Sequence, residues 1–192
     1  MFKSFYNWIL GWADKKSGVY ALGFFSFIES SFFPIPPDPL LMALCLGKPK
    51  KSFYFGIICT IFSVLGAIGG YFIGWLLWEF VGNFFLEHII KPEAFEFVSL
   101  KYKENAFLAV LGAALTPIPF KAFTVTAGVF KINIFILIIA SIFGRAGRFI
   151  TISALIYFFG PKIRVFIDRY FNILVTLLFI LLILGFLAIK ML

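Results

Sequence analysis

The sequence is poor in charged residues and in the side chains on which most enzymes depend. Only 14% of its 192 residues are charged and 62% are hydrophobic, whereas a soluble domain has about 25% charged residues. It has one histidine and two cysteines, too few for a histidine metal site or a disulfide framework. It also lacks a Gly-x-Ser-x-Gly element, a His-Glu-x-x-His helix and a Walker loop. We therefore expect an integral membrane protein that is not an enzyme and binds no metal or cofactor.

Acidic residues are also scarce, which leaves a formal net charge of +8 from 17 Lys and Arg against 9 Asp and Glu. The basic residues are scattered between apolar runs and form no basic block. Nucleic-acid binding depends on clustered phosphate contacts, so we expect no nucleic-acid partner. Cations beside membrane segments, facing an anionic leaflet, account better for this pattern.

What the chain does have is long apolar segments. Residues 53–78, 132–160 and 171–189 are each long enough to cross a bilayer, which takes about 20 apolar residues. The aromatic spacing of residues 1–17 predicts an amphipathic helix in the membrane interface. Residues 79–105 hold five Glu and three Lys and are predicted to be a polar linker.

Two other apolar regions are interrupted by closely spaced prolines, which end a helix. Residues 19–46 and 106–130 are therefore predicted to be re-entrant hairpins, each made of two short helices around a broken centre. Such a break is tolerated in a membrane only where protein or a watery cavity covers the backbone. The residues that break the two hairpins are Pro34, Pro36, Pro37, Pro117 and Pro119.

The two halves of the chain repeat one another. Pro34-Ile35-Pro36 recurs as Pro117-Ile118-Pro119, and a small-residue motif follows each about thirty residues later, at residues 66–69 and 144–147. A re-entrant hairpin makes no net crossing and a span makes one, so the halves are expected in opposite orientations, as in many transporters. The predicted fold class is an all-α integral membrane protein, an inverted repeat with an extra C-terminal transmembrane helix.

The lysines predict the orientation of the chain. Lys15 and Lys16 precede the first hairpin, and Lys48, Lys50 and Lys51 follow it, so a re-entrant hairpin places them all on one face. By the positive-inside rule the N-terminus is then cytoplasmic.

Five ionisable residues are predicted at membrane depth. Each central charge costs roughly 2.5–3.5 kcal/mol on insertion scales, so we expect them to converge in a polar pocket with a net charge of +1, suited to a phosphate. Structural roles stay open: a partner for an arginine, a helix cap, struts between the repeats, or a lysine that reaches the interface. The five are Glu29, Asp38, Lys121, Arg145 and Arg148.

Two segments resemble the signatures of one membrane-protein family. Residues 29–38, Glu-Ser-Ser-Phe-Phe-Pro-Ile-Pro-Pro-Asp, resemble the acidic, proline-containing signature of the DedA (VTT-domain) proteins. Residues 116–121, Thr-Pro-Ile-Pro-Phe-Lys, followed by Ala127-Gly128, are similar to the second signature, especially that of the YqaA-like subgroup. The resemblance covers about residues 20–160.

The resemblance implies two facing re-entrant hairpins in a bacterial inner-membrane protein that moves phospholipid or polyprenyl-phosphate lipid between leaflets. It also implies that Glu29, Asp38 and Lys121 are needed for function and that protons take part. The leading hypothesis is thus a lipid translocase. A proton- or ion-coupled transporter of a small solute shares the inverted repeat, and a non-transporting scaffold or assembly factor would need the five residues for stability alone.

Overall fold

The structure is a computed structural model that describes residues 17–33, 36–88, 92–116 and 118–160. Within these ranges the backbone forms helices and short connections, with no strand, which confirms the predicted all-helical class. The predicted interfacial helix, apart from residue 17, and the predicted C-terminal span lie outside the described residues. So do Pro34 and Pro117.

The described residues form seven α-helices and one short 3-10 turn, Pro49–Lys51. The α-helices are α1, Ser17–Ser31; α2, Asp38–Gly47; α3, Ser52–His88; α4, Pro92–Glu104; α5, Ala106–Leu115; α6, Phe120–Val129; and α7, Ile134–Gly160.

The prolines divide both interrupted regions into pairs of short helices. In the first region α1 ends at Ser31, and α2 begins at Asp38 with Pro39 in its first turn, where a missing N–H costs nothing. In the second, α5 ends before the proline motif and α6 begins directly after Pro119. Helices α2, α5 and α6 have 10 residues each, or about 15 Å, half the thickness of a bilayer core.

Within the described ranges, two helices are long and apolar enough to cross a membrane. They are Pro49–Gly82, which joins the 3-10 turn to most of α3, and Ile134–Gly160, with mean hydropathies of 2.0 and 1.8. Both coincide with predicted spans.

Much of the predicted polar linker is helical. Helix α3 continues to His88 and α4 follows from Pro92. The acidic residues of the linker do not break a helix, and Pro92 stands at the first position of α4, where proline is tolerated. The ring of Trp78 stacks on Phe95 at 4.6 Å between centroids, so α4 packs back against α3.

The first helix of each interrupted region packs on the long helix of its own half, at the two repeated small-residue motifs. A Cβ on Gly66 of α3 would overlap the carbonyl oxygen of Phe27 in α1. A Cβ on Gly144 of α7 would overlap the side chain of Ala114 in α5. Each glycine therefore permits close approach of two backbones.

The second helix of each region packs on the long helix of the other half, and α2 also contacts the start of α3 in its own half. Helix α6 lies on α3, where a Cβ on Gly74 would overlap the carbonyl of Val125. Helix α2 lies on α7, where the sulfur of Cys45 is 3.9 Å from the hydroxyl of Ser153. The two halves are thus connected by reciprocal contacts.

The apolar core is divided into two clusters. One gathers α1, α2, the start of α3 and the end of α7, and includes Leu41, Phe55 and Ile156. The other gathers α4, α5, α6 and the start of α7, and includes Val110 and Leu137. The middle of α7 lies between them, and its arginines are described next.

Candidate functional site

Arg145 is buried at the middle of α7, with 1% of its surface exposed. Its Nη2 lies 3.1 Å from Oε2 of Glu29, a residue of α1. The guanidinium carbon lies 4.0 Å from the centre of the Phe120 ring and 5.6 Å from that of Phe149. A carboxylate and two aromatic faces therefore offset the cost of burying this charge.

Arg148 joins the two proline-containing loops. Its Nε donates to Oδ1 of Asp38 at 3.0 Å and its Nη2 donates to Oδ2 at 2.8 Å, the two-pronged geometry that only arginine can offer a carboxylate. Its Nη1 also donates to the carbonyl of Thr116, at 3.4 Å. Asp38 follows the first loop and Thr116 precedes the second, so one side chain contacts both.

The guanidinium of Arg145 is not fully hydrogen-bonded by the described residues. Its Nε is buried and has no acceptor among the described residues, although a buried donor without a partner costs about 1–3 kcal/mol. Glu29 contacts only the Nη2 end of the guanidinium, at 3.1 and 3.4 Å. The Nε side of the guanidinium therefore lacks a hydrogen-bond acceptor among the described residues.

Of the three predicted cations, Lys121 is the one that forms no ion pair with a described residue. It lies half-buried in the first turn of α6, next to Phe120. Glu29 and Asp38 are each matched to one arginine, so Lys121 supplies the net charge of +1. The uncapped N-terminus of α6 adds partial positive charge at the same place.

The structure therefore brings four of the five predicted residues together as two ion pairs that span 116 and 110 positions of the chain. Of the loop prolines, Pro37 is fully buried between the first region's helices. Among the described residues, no three His, Cys, Asp or Glu side chains cluster as metal ligands would.

A buried seam of small polar side chains was missed by the sequence analysis. Ser26 contacts the sulfur of Cys59 at 3.0 Å, and the hydroxyls of Ser30 and Ser63 are 2.6 Å apart. Thr124 donates to the carbonyl of Ser30 at 3.0 Å. The sequence does contain a signal for this seam, because Ser26 and Ser30 are four positions apart on α1 and their partners are four positions apart on α3. None of these side chains is charged, so the charge pattern does not indicate them.

The seam reaches the first ion pair. The hydroxyl of Ser30 donates to Oε2 of Glu29 at 3.1 Å, so the carboxylate that binds Arg145 is also held by α1 itself. Ser30 contacts Ser63 of α3 at the same time. A polar path thus runs from the middle of α3 to the middle of α7 through the centre of the molecule.

Comparison with known proteins places the chain beside proteins of two bacteria. It is 34% identical over 162 residues to an uncharacterized protein of Haemophilus influenzae, covering 84% of each chain. It is 27% identical over 162 residues to an uncharacterized protein of Histophilus somni, again covering 84% of each chain. No family profile and no solved structure matches it. The chain belongs to the same protein family as the Haemophilus influenzae protein.

Proposed function

We propose that this chain is a membrane lipid translocase of the DedA type, which moves a phosphate-bearing lipid, a phospholipid or a polyprenyl phosphate, between leaflets. The observation that carries the proposal is Arg145, a buried arginine at the middle of a 27-residue apolar helix. An arginine there is costly and is retained in membrane proteins mainly where it has a partner or a role.

The packing supports an inverted repeat with two re-entrant hairpins. Each hairpin's first helix lies on the long helix of its own half, and each second helix lies on that of the other half. A two-fold relation between the halves would produce this reciprocity. The short helices, of about 15 Å, reach only the middle of a bilayer, where Arg145 and Arg148 lie.

The charges suit a phosphate. The headgroup oxygens accept hydrogen bonds from the free Nε of Arg145, while Lys121 neutralises the added charge. We propose that movement of the lipid is coupled to protons, with Glu29 and Asp38 as the carriers.

The membrane placement follows from the lysines. Lys48, Lys50 and Lys51 stand at the start of the first long helix and are exposed. We propose that they lie at the cytoplasmic face of a bacterial inner membrane, with the N-terminus on the same side.

The test is leaflet exchange of fluorescent lipids in proteoliposomes, for several headgroups, with and without a proton gradient. Lys121→Ala should slow exchange about tenfold or more, equivalent to ~1.4 kcal/mol of barrier. The matched control is Lys131→Ala, which removes a lysine that pairs with Glu79 at the surface and should leave exchange unchanged. Wild-type exchange no faster than in protein-free vesicles, for every headgroup, would refute the proposal.

A scaffold function is the second candidate, because the Arg148–Asp38 pair is geometrically complete and could serve to fix the two halves alone. A scaffold predicts that the wild type exchanges lipid no faster than protein-free vesicles and that Lys121→Ala affects stability and abundance alone. It also predicts that variants of the ion pairs lose function only in proportion to the protein lost.

A further inference from the structure

A cavity lies between α1 and α3, and none of the four ion-paired residues lines it. Its volume is about 1030 Å³, and its walls are mostly apolar. Several of the wall residues are exposed on the outside of the helices, so the cavity is a groove that opens to the surroundings. Its apolar wall includes Tyr20, Phe24, Tyr54, Ile58, Phe62 and Leu65.

One end of the groove is basic. Lys48, Lys50 and Lys51 line it there, at the start of the first long helix. All three are exposed, and none pairs with an acidic side chain of the described part of the chain. An apolar channel with three unpaired ammonium groups at one end is complementary to an anionic amphiphile, which has an apolar tail and a negatively charged headgroup.

The length of the groove matches one leaflet. Helices α1 and α3 run side by side in the same direction, since Ser26 contacts Cys59 and Ser30 contacts Ser63. Along α3 the groove extends from the level of Tyr54 to that of Leu65, about 16 Å at the rise of an α-helix. The hydrocarbon of one leaflet is about 15 Å deep.

We propose that this groove binds an anionic glycerophospholipid, with its phosphate against the three lysines and its acyl chains along α1 and α3. The lysines mark the level of the headgroups, and the groove ends where that leaflet ends. The lipid is a resident one that holds α1 against α3 at a fixed depth, so the inference does not depend on whether the chain moves lipid between leaflets.

Charge distinguishes this occupant from others. An apolar helix of this chain or of a second copy would fill the groove without any use for three cations at its end. A zwitterionic lipid brings its own positive group to the lysines, which weakens the attraction. Only a lipid whose headgroup has a net negative charge uses both the lysines and the apolar wall of the groove.

The first experiment is native mass spectrometry of the full chain in detergent with added phosphatidylglycerol, phosphatidylcholine or inorganic phosphate. The test variant changes the groove lysines together, Lys48→Gln, Lys50→Gln and Lys51→Gln. The control makes the same charge change elsewhere, Lys101→Gln, Lys103→Gln and Lys131→Gln.

We expect the wild type to retain phosphatidylglycerol well above the other two ligands. The groove variant should bind it about tenfold more weakly, a loss equivalent to ~1.4 kcal/mol, whereas the control should bind it as the wild type does. Equal losses in the two variants would mean a general effect of net charge and would overturn the proposal. Equal retention of phosphatidylcholine would also overturn it.

The second experiment tests the apolar part. Leu65→Trp narrows the groove, and Leu77→Trp places the same ring on an equally exposed part of α3 outside it. Only Leu65→Trp should reduce phosphatidylglycerol binding. A photoreactive benzoylphenylalanine in place of Phe24 should cross-link to phospholipid in membranes; cross-linking to this chain or to a second copy instead would show that protein covers the groove and would refute the proposal.

Discussion

Arg148 holds Asp38 through two hydrogen bonds, Nε to Oδ1 at 3.0 Å and Nη2 to Oδ2 at 2.8 Å. The two residues come from different halves of the chain, 110 positions apart. Both are partly shielded, with side chains 27% and 16% exposed. This pair therefore fixes the position of the first proline-containing loop relative to the middle of α7.

The strength of this contact can be measured by a double-mutant cycle. Asp38→Asn and Arg148→Gln should each destabilise the protein, and the double variant should lose less than the sum. We expect a coupling energy of about 1.5–3 kcal/mol, typical of hydrogen bonds to charged groups. Denaturant titration in detergent micelles measures it, and additive losses would show that the two side chains do not interact in solution.

Glu29 and Arg145 allow stability to be separated from function. Glu29→Gln leaves a buried guanidinium without its counter-charge and should cost about 3–5 kcal/mol. Adding Arg145→Met removes the charge and should restore most of the stability. Thermal unfolding in detergent is the measurement.

If the site acts in translocation, the stable double variant Glu29→Gln/Arg145→Met should still be inactive in lipid exchange. Exchange at the wild-type rate in that variant would show that neither side chain is needed for transport.

Glycine packing predicts opposite effects at two positions. Gly66→Ala places a methyl group against the carbonyl of Phe27 and should destabilise the protein by about 1–3 kcal/mol through overpacking. Gly112 has nothing within 4 Å of an added Cβ, so Gly112→Ala should be neutral or stabilise by about 0.5–1 kcal/mol, as alanine does in helices. Equal effects of the two changes on thermal unfolding would contradict the packing of α1 on α3.

The burial of the Tyr102 phenol predicts that the protein loses stability at high pH. Burial raises the pKa of this phenol, and its hydroxyl donates to the carbonyl of Phe123 at 2.9 Å. An unfolded tyrosine ionises near pH 10, so above about pH 10 the unfolded chain binds fewer protons than the folded one and the free energy of unfolding falls. Below that pH the contribution of the phenol is fully present.

The control for this prediction is Tyr102→Phe. It should cost about 1 kcal/mol at neutral pH, the worth of one hydrogen bond, and should lack the alkaline loss due to this residue. A wild type and variant whose stabilities decline in parallel above pH 10 would contradict the buried position of the phenol.

The sequence could predict which residues meet but not how they pair. The cost of charge at membrane depth predicts that all five ionisable residues converge, of which the structure pairs two acids with two arginines. Proline spacing predicts where the helices break. Nothing in the spacing assigns Glu29 to Arg145 rather than to Arg148, because that choice depends on how α1 and α2 lie against α7. The spacing also does not predict that Lys121 is without an ion pair among the described residues, because this too depends on how the helices pack.

Other features lay beyond sequence reasoning because they depend on packing or on weak signals. The extension of α3 to His88 follows from the absence of a helix breaker, whereas the Glu residues there suggested a linker. The groove between α1 and α3 arises from the exposed aromatic side chains of both helices, and no periodicity marks it. The seam at Ser30 and Ser63 carries no charge and so left no mark in the charge pattern.

The separation of the paired charges along the chain also has a consequence for biogenesis. Glu29 and Asp38 are synthesised 116 and 110 residues before the arginines that neutralise them. At a bacterial or eukaryotic elongation rate of about 5–20 residues per second, both carboxylates wait several seconds or more for a counter-ion. If the chain spans a membrane as proposed, its nascent first half should remain at the insertion machinery or at the water interface until the middle of α7 leaves the ribosome, because only then do the two carboxylates gain their counter-ions.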